Sequence, residues 1–312
     1  MFGHAGKVLA LQILAGLFAV FVLFRLTGVD GNRYTASLLA LTPYFLPAGL
    51  VLGGLTVGLG GPWIGGGVLA LTVLLGALVL PRAVPGRQQT LSGPRLRVMA
   101  SNLYLGRGDV KTIVELVREH DVDVLNLVEL TPEAVEELGR AGLFDLLPHR
   151  LFQPAEAGRG SGIAARYPIE PVGLAGPALL EQPGARIEIG AAAVEVVAVH
   201  PIPPTTAPAT WKTEIGGLPA PRTEGPIRIL AGDFNATLDH GTFRRLLRGG
   251  YRDAAAQRGS GLRGTWPAAA FPPPVTIDHV LVDRRAAVLR YRVLDVPNSD
   301  HKAVFAELVL PG

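Results

Sequence analysis

The pattern of hydrophobic and polar positions divides the chain into an apolar front and a longer part in which short apolar runs alternate with polar segments. No charged residue and no histidine occurs from Tyr34 to Pro81, and the earlier run Val8–Phe24 contains only Gln12 as a strongly polar residue. A helix needs about 20 apolar residues to cross a bilayer. We therefore predict about three membrane-spanning helices in residues 1–81.

The two spans of the long apolar stretch are predicted near Tyr34–Leu55 and Trp63–Leu80, with the Gly-rich segment Gly58–Gly67 as the turn between them. A cleaved signal peptide is the alternative for the first apolar run. That alternative requires a small-residue cleavage site shortly after the run, and residues 25–30 contain none. The sequence therefore favours three spans.

The rest of the chain is predicted to consist of a polar linker containing Pro and Gly at 82–94 and one domain at 95–312, which is long enough for a substantial core. Apolar runs with strand or helix periodicity are separated there by Gly and Pro turns. The predicted strands are Arg95–Ala100, Asp123–Val128, Ile163–Arg166, Ala185–Ile189, Val194–Val199, Ile227–Ala231, Ile277–Val282, Ala287–Leu294 and Ala303–Leu310. The predicted helices follow Asp109, begin at Thr131-Pro132, and cover Ala207–Ile215 and Gly241–Arg248, and long loops are expected at 201–226 and 257–276.

Six short polar islands stand at the ends of apolar, strand-like runs. They are Ser101-Asn102, Glu129, His200, Gly232-Asp233-Phe234-Asn235, Asp278 and Ser299-Asp300-His301. Charged and amide side chains rarely lie at the edge of a core without a partner, so we interpret the six islands as one site. Carboxylate oxygens suit a hard divalent cation, whereas His and Asn suit phosphoryl oxygens and water. The pattern favours phosphoester chemistry.

Composition and charge narrow the picture further. The chain contains no cysteine, which excludes disulfides and thiolate metal sites. Of the 29 Lys and Arg residues three precede Arg82, as does one of the 26 Asp and Glu residues, which leaves a net charge of +1 for the remainder. A nearly neutral domain gives little support to tight electrostatic binding of duplex nucleic acid.

The order of elements predicts two layers of sheet with helices outside. A doubly wound dinucleotide fold is the rival, but no Gly-x-Gly-x-x-Gly motif follows the first strand. Residues 95–310 resemble the endonuclease/exonuclease/phosphatase superfamily, which includes deoxyribonuclease-I-like enzymes, inositol-phosphate phosphatases and bacterial sphingomyelinases. The matching segments, in order, are MASNL (99–103), LNLVEL (125–130), SGIAARYP (161–168), VVAVHP (196–201), LAGDFNA (230–236), IDHVLV (277–282) and SDHKAV (299–304). The resemblance implies an α/β fold, a four-layer α/β/β/α sandwich of two packed mixed sheets flanked by helices, preceded here by an N-terminal transmembrane helical region.

The resemblance also implies a metal site. Asn102 and Glu129 would hold Mg²⁺, for which Mn²⁺ is a possible substitute, and Asp300 would lie beside the ion. A carboxylate suits Mg²⁺ because this ion prefers hard oxygen ligands and keeps several waters.

The catalytic residues implied by the resemblance are five. Asp233 and Asn235 would position the attacking water and a phosphoryl oxygen, and the period of two along a strand is expected to put them on one side. Asp278 would orient His301, and His200 would act at the scissile phosphate as the second histidine. Two imidazoles that titrate near neutral pH can divide the acid and base roles.

Three further residues receive their own interpretation. His279 alternates to the face opposite Asp278 and is expected to be structural. His240 is expected at the solvent-exposed surface. Trp266, in the loop before Asp278, is expected either to stack on a substrate ring or headgroup or to pack within the loop.

The resulting prediction is a membrane-anchored, Mg-dependent phosphoesterase that hydrolyses phosphodiester or phosphomonoester bonds and is nuclease-like. Its partners would be a phosphodiester substrate, in nucleic acid or a phospholipid headgroup, and the lipid bilayer through the N-terminal helices. The alternatives are a phospholipid- or sphingomyelin-type phosphodiesterase and a catalytically silent binding module on the same fold. The Pro-rich connection after His200 contains no inserted arm of the kind that opens duplex DNA, which argues against a strict abasic-site endonuclease.

We predict a multi-pass protein of the cell membrane. Lys7 lies on one side of the predicted spans, and Arg25, Arg33, Arg82 and Arg87 lie on the other, so the positive-inside count favours a cytoplasmic domain. Basic residues beside a long domain are, however, poor indicators of membrane orientation. The related membrane-anchored bacterial enzymes usually have a catalytic domain that faces outward. We therefore predict an extracytoplasmic catalytic domain.

Overall fold

The apolar front of the chain folds into four helices, which are α1 His4–Thr27, α2 Arg33–Ala40, α3 Phe45–Gly58 and α4 Pro62–Val79. Short 3-10 helices follow α2 at Thr42–Tyr44 and α4 at Leu80–Ala83. The computed structural model describes residues 4–270 and 274–312. Residues 1–3 of the predicted membrane region and 271–273 of the predicted loop 257–276 therefore lie outside the described residues.

Two of these helices, Ala5–Thr27 and Pro62–Ala83, are long and apolar enough to cross a membrane, and a third span results if the bent pair Arg33–Ala40 and Thr42–Gly58 counts as one. The bend of that pair is 58°. The predicted span Tyr34–Leu55 is therefore interrupted, because α2 turns away from the axis of α3. The predicted Gly-rich turn is also shorter than expected: α3 ends at Gly58 and α4 begins at Pro62.

Helices α3 and α4 approach closely through glycine. A Cβ atom on Gly65 would lie 2.7 Å from the carbonyl oxygen of Gly53, and one on Gly49 would lie 2.2 Å from Thr72 Oγ1. Small residues at such contacts let two helix backbones approach, which is the usual way that apolar helices associate in lipid.

Two six-stranded sheets form the second part of the chain. The first has the order β11-β12-β1-β2-β4-β3 and the second the order β5-β6-β7-β8-β10-β9. The strands are β1 Arg95–Asn102, β2 Val124–Val128, β3 His149–Gln153, β4 Ser161–Ala165, β5 Ile169–Pro171, β6 Gly184–Ile189, β7 Ala192–Val199, β8 Ile227–Asp233, β9 Tyr251–Asp253, β10 Asp278–Asp283, β11 Ala287–Leu294 and β12 Ala303–Val309. In each sheet one central pair is parallel, β1 with β2 and β7 with β8, and the other pairs are antiparallel.

Strand alternation builds the core between the sheets. Val98 and Ala100 of β1 belong to the inner core together with Val196 and Ala198 of β7, whereas Met99 belongs to the layer under the outer helices. Both faces of the central strands are buried, which explains their nearly continuous apolar sequence.

Helices cover both outer faces. On the first sheet lie α5 Val110–Glu119, α6 Pro132–Arg140 and α7 Leu143–Leu146, on the second lie α8 Pro208–Gly216 and α9 Gly241–Arg248, and the short α10 Ala254–Gln257 closes an edge of the inner core. The predicted caps form: Asp109 Oδ1 accepts from Lys111 N, and Thr131 Oγ1 accepts from Ala134 N. The predicted four-layer α/β/β/α architecture is confirmed.

The N-terminal helices are fixed to the sandwich by buried polar contacts. Asp239, after β8, accepts hydrogen bonds from Arg25 Nε at 2.5 Å and from Arg82 Nη1 and Nη2 at 2.7 and 2.6 Å. Asp30 accepts from Thr242 N at 2.7 Å and from its hydroxyl at 3.0 Å. Asp239 and Arg25 are buried, and the side chain of Arg82 is only 10% exposed, so this junction is an internal interface.

One expectation about this region is corrected. His240 is buried rather than solvent-exposed: its Nε2 lies 2.9 Å from the carbonyl oxygen of Ala36, and Thr237 N donates to its Nδ1 at 2.8 Å. The segment 82–94, predicted as a linker, contacts the sandwich through Gln88. Gln88 contacts Gln257 and accepts a hydrogen bond from Val288 N.

Candidate active site

The predicted site residues meet at one end of the sandwich. Strands β1 and β8 end there at Asn102 and Asp233, and Glu129 and His200 directly follow the ends of β2 and β7. Strands β10 and β12 are antiparallel to their neighbours and begin at the same end, where Asp278 pairs with Asp233. The sheet topology thus places all six polar islands together, as the sequence predicted.

Glu129 lies where the chain leaves β2, in the left-handed region with φ of 56°. Its Oε1 accepts from Asn102 Nδ2 at 3.0 Å, and its Oε2 accepts from Leu105 N at 2.7 Å. Asn102 Nδ2 also lies 3.3 Å from Asp233 Oδ2, and Asn102 Oδ1 accepts from Tyr104 N. The amide of Asn102 therefore turns its N–H group toward the two carboxylates and holds them close to each other.

Asp233 and Asn235 share one side of the site, although not for the expected reason. Asn235 has a φ of 48° and lies after the end of β8, so strand alternation does not extend to it. Its N–H donates to Asp233 Oδ1 at 2.8 Å, and its side-chain amide donates to the Pro201 carbonyl at 3.1 Å. A tight Asx turn thus orients both side chains. Phe234 between them is fully buried, as predicted.

His301 is held by Asp278, as predicted. Its Nδ1 lies 2.9 Å from Asp278 Oδ2, and its Nε2 lies 3.7 Å from Asp233 Oδ2. Ser299 orients the loop, because its hydroxyl donates to the Asn102 carbonyl and accepts from His301 N. The arrangement is a carboxylate–imidazole pair whose free nitrogen points toward a second carboxylate.

His200 lies beside Glu129 on the other flank. Its Nε2 is 3.9 Å from Glu129 Oε1, and its backbone N–H donates to the side-chain oxygen of Gln182. Nδ1 of His200 is buried and has no hydrogen-bond partner among the described residues. Burial, together with the nearby charge of His301, lowers the pKa of His200 to about 3, so this imidazole is neutral at physiological pH.

Asp300 lies on the His301 side of the site. Its Oδ2 accepts from Trp266 Nε1 at 3.1 Å, and its Oδ1, 3.9 Å from His301 Nε2, is buried without a hydrogen-bond partner among the described residues. The Trp266 ring centroid is 6.3 Å from that of His301, and the indole is 38% exposed. Trp266 therefore forms part of the site wall rather than packing within its loop.

The environments of Asp233 and His301 shift their pKa values upward. Burial raises the pKa of Asp233, and Asp278 adds to the effect, although His301 opposes it. Burial disfavours the imidazolium of His301, but the carboxylates of Asp278 and Asp233 outweigh this and raise its pKa. Near neutral pH the site thus contains a charged His301 beside a carboxyl group that protonates easily.

The donor set fits a divalent cation. Asp233, Asp278 and His301 each offer an atom within 4.8 Å of the others. Asp278 already bonds to His301, and both oxygens of Glu129 accept hydrogen bonds, whereas Oδ1 of Asp300 is buried without a hydrogen-bond partner among the described residues and is available to a hard ion.

The site opens into a cavity of about 430 Å³. Glu129, His200, Asp233, Asn235 and His301 lie at its catalytic end. Its remaining walls come from Pro203, Pro204, Thr205, His240, Trp266, Pro274, Val275 and Ile277, and from Ala36, Ser37, Ala40 and Leu41 in and just after α2. The α2 wall was not predicted, because all of α2 after Arg33 falls in the uncharged stretch Tyr34–Pro81 that was interpreted as membrane spans.

Two polar residues behind the site were also missed. Asn126, in the middle of β2, donates from Nδ2 to the carbonyl oxygens of Val197 and Ala231, both at 2.9 Å, and so joins the two sheets. Gln182 positions the backbone of His200. An amide in the middle of the run VLNLV was a usable signal, since a buried polar group needs a partner. His279 is structural, as predicted: it is buried, with Asp253 at 2.8 Å and the Ala236 carbonyl at 2.9 Å.

Comparison with known proteins gives a family match. The model of the Endonuclease/Exonuclease/phosphatase family matches residues 99–301, a range that includes every predicted site residue. No curated protein sequence matches the chain.

Solved structures give a matching fold at low identity. An endonuclease/exonuclease/phosphatase from Beutenbergia cavernae is 18% identical with a TM-score of 0.53, and the match covers 70% of this chain and 72% of that one. Humanized D. rerio TDP2 is 16% identical with a TM-score of 0.51, covering 69% and 98%. A Bacteroides thetaiotaomicron mannosyl-6-phosphatase is 19% identical with a TM-score of 0.50, covering 69% and 100%. The matches cover 69–70% of this chain, and the remainder is about as long as the region that contains the N-terminal helices.

Proposed function

Because this chain belongs to the endonuclease/exonuclease/phosphatase family of hydrolases, we propose that it is a membrane-anchored, divalent-metal-dependent phosphoesterase, acting on phosphodiester or phosphomonoester bonds. The observation that carries this proposal is the convergence of Glu129, Asp233, His200 and the Asp278–His301 pair at one end of the sandwich. In the reaction, water attacks phosphorus, one P–O bond breaks, and the leaving oxygen takes a proton.

The ion is proposed to be Mg²⁺, held by Glu129 with Asp300 nearby, while Asn102 steadies the carboxylate of Glu129. When bound, it would offset negative charge that develops on the phosphoryl oxygens.

Each remaining residue has a role that its environment supports. Asp233, with a raised pKa, accepts the proton of the attacking water, which Asn235 helps to orient. His301 stays cationic beside Asp278 and donates a hydrogen bond to the phosphoryl group or a proton to the leaving oxygen. His200, which is neutral, donates from Nε2 to a phosphoryl oxygen. The raised and lowered pKa values thus separate acid and base roles.

The N-terminal helices are proposed to anchor the enzyme in a membrane. Large apolar side chains such as Leu17, Val51 and Val73 are more than half exposed on α1, α3 and α4, and an apolar surface of this kind is typical of lipid contact. The proposed orientation is extracytoplasmic. Arg25 and Arg82, two of the basic residues that favoured the opposite orientation, are neutralised by Asp239. A reporter fused after residue 312 tests this, and a cytoplasmic signal would reverse the assignment.

The experiment for the activity uses the full chain in detergent micelles with bis-p-nitrophenyl phosphate, in Mg²⁺ and in EDTA. Glu129→Gln and His301→Ala are expected to lower the Mg²⁺-dependent rate at least about a hundredfold. His149→Ala, in β3 on the far edge of the first sheet, serves as the matched control and should leave the rate unchanged. Full Mg²⁺-dependent hydrolysis by both site variants would overturn the proposed mechanism, and a folded wild type that binds Mg²⁺ but hydrolyses nothing would favour a silent binding module.

A further inference from the structure

The N-terminal helical region contributes directly to the candidate active site. Ala36, Ser37 and Ala40 of α2 and Leu41 after it form one wall of the cavity whose other end holds the catalytic carboxylates and imidazoles. A region that served only as a tether for the domain would not be expected to line the cavity.

The wall is held in place by polar contacts at both ends, and those before and within α2 are buried. Before α2, the carboxylate of Asp30, which is 0% exposed, binds the first turn of α9 through Thr242. Within α2, the carbonyl oxygen of Ala36 bonds to the buried His240. After α2, Tyr44 donates to the Pro274 carbonyl at 3.1 Å. Buried charges and imidazoles are costly unless they are paired, so these contacts fix the position of α2 over the site.

The lining of the cavity has a polar part and an apolar part. Besides the catalytic residues, it includes Ala36 and Ala40 of α2 together with Pro203, Pro204 and Val275. The hydroxyl of Ser37, which also lines the cavity, donates to the Arg33 carbonyl at 2.8 Å, so its hydrogen bond is made within the helix.

A polar substrate would fit this cavity poorly. The described residues that line it include no Lys or Arg, so the backbone of a polyanion would find no counter-charge there. Sugar hydroxyl groups would lose water against an apolar wall without gaining hydrogen bonds. A hydrocarbon chain, in contrast, has no hydrogen bonds to lose when it packs against these apolar side chains.

The cavity also lies at the level where a bilayer surface is expected. Helix α2 follows the C-terminal end of α1 and precedes the N-terminal end of α3, so it lies where both apolar helices end. Tyr34, in the first turn of α2, and Tyr44, after α2, are 75% and 47% exposed, whereas Trp63, 92% exposed, lies at the opposite end of α3 and α4. Tyr and Trp concentrate at the two interfaces of a bilayer.

We infer that α2 is the binding wall for the hydrocarbon chain of a membrane-embedded phosphoester, and that the substrate is an amphiphile whose phosphoester head reaches Asp233 and His301 from the bilayer side. This inference rests on the proposed phosphoesterase function and names its substrate class. The N-terminal helices are then part of the substrate site as well as an anchor.

The test compares two fluorogenic diesters that share a leaving group, hexadecyl and ethyl 4-methylumbelliferyl phosphate, on the full chain in lipid nanodiscs. The wild type is expected to hydrolyse the hexadecyl ester with a kcat/KM at least tenfold higher. Ser37→Trp, which places an indole in the cavity, should remove most of that preference by lowering kcat/KM for the hexadecyl ester more than for the ethyl ester. Leu38→Trp is the matched control, because Leu38 is also exposed on α2 but does not line the cavity, and it should change neither rate.

A binding measurement separates this inference from the activity itself. A hexadecylphosphonate with a diazirine on its chain is not hydrolysed and can be cross-linked in the same nanodiscs. The lipid site is supported if the label appears on α2 and on residues 203–205, is lost in Ser37→Trp and is retained in Leu38→Trp. This result would support the site even if neither ester is hydrolysed, and in that case only the proposed activity fails. Label confined to the outer surfaces of α1, α3 and α4, or equal hydrolysis of both esters, would overturn the inference.

Discussion

Replacing the carboxylate at the junction of the two regions should release α2 from the sandwich. Asp239→Asn keeps the size of the side chain and one oxygen acceptor but removes the charge between Arg25 and Arg82. The side chain of Asp239 is 1% exposed, and those of Arg25 and Arg82 are 6% and 10% exposed. Removing one partner of a buried ion pair costs about 3–5 kcal/mol, because the other charges stay buried without compensation. We take about 3 kcal/mol, the low end, since asparagine still accepts a hydrogen bond.

A loss of about 3 kcal/mol corresponds to a roughly hundredfold greater opening of the junction. Hydrogen exchange of the full chain in nanodiscs measures this opening directly. Protection of the amides in residues 30–44 and 237–245 should fall about a hundredfold, up to the limit set by global unfolding. Asp295→Asn is the matched control. Asp295 also forms an ion pair, with Lys302, but its side chain is 83% exposed, and exposed ion pairs contribute little to stability. Protection within threefold of wild type in Asp239→Asn would refute the argument.

The same junction has a defined response to acid. Burial opposes ionisation of Asp239, but Arg82 and Arg25 outweigh this and lower its pKa. A carboxyl group whose pKa is lower in the folded protein stabilises the fold above the ordinary carboxyl pKa, and this contribution is lost as the pH falls through the lowered value. Protection of residues 30–44 should therefore persist to about pH 4, the ordinary carboxyl range, and fall only below it.

Three further predictions concern other parts of the molecule. Gly65→Ala should lower the melting temperature of the full chain in detergent by several degrees, because its Cβ meets a backbone oxygen of α3, whereas Gly66→Ala, with open space around it, should not. Burial disfavours the charged form of His279, but Asp253 outweighs this and raises the pKa of His279. The stabilisation of the fold by this ion pair is therefore complete below the ordinary imidazole pKa and declines as the pH rises through the raised value. Urea unfolding of the full chain at several pH values should show this dependence, and Asp253→Asn should abolish it. Trp266→Ala should lower kcat/KM about tenfold with little change in melting temperature, because the indole lines the cavity and is partly exposed; an unchanged kcat/KM would exclude Trp266 from substrate contact.

Much of the sandwich followed from local patterns. Strand β11 and helix α9 were predicted with their observed bounds, because alternation in the first and amphipathic spacing in the second are strong local signals. Strand β3, His149–Gln153, was missed. It lies at the edge of its sheet with half-exposed residues and no clear alternation, so only its pairing with β4 defines it. Edge strands of this kind depend on contacts that a local pattern does not contain.

The site was predictable for a different reason. Its residues come from strand ends, and the parallel pairs β1–β2 and β7–β8 bring those ends to one edge. The role of α2 was not predictable, because nearly all of α2 lies in the uncharged stretch Tyr34–Pro81, whose pattern indicates membrane spans and contains no sign of a cavity wall. The deciding contacts, Asp30 with Thr242 and Ala36 with His240, join residues more than two hundred positions apart.

The way the two regions are joined bears on how a substrate reaches the site. A flexible linker would tether a domain without burying any charge, but here Asp30, Asp239 and His240 are all buried at the junction, and the segment after α4 packs on α10 through Gln88 and Gln257. Such a junction holds one orientation, since tilting the domain would expose buried ions without their partners. With α2 fixed over the cavity, the catalytic end keeps a constant position relative to the apolar helices. Removal of residues 1–81 would therefore leave the catalytic residues on the sandwich but take away one wall of their cavity.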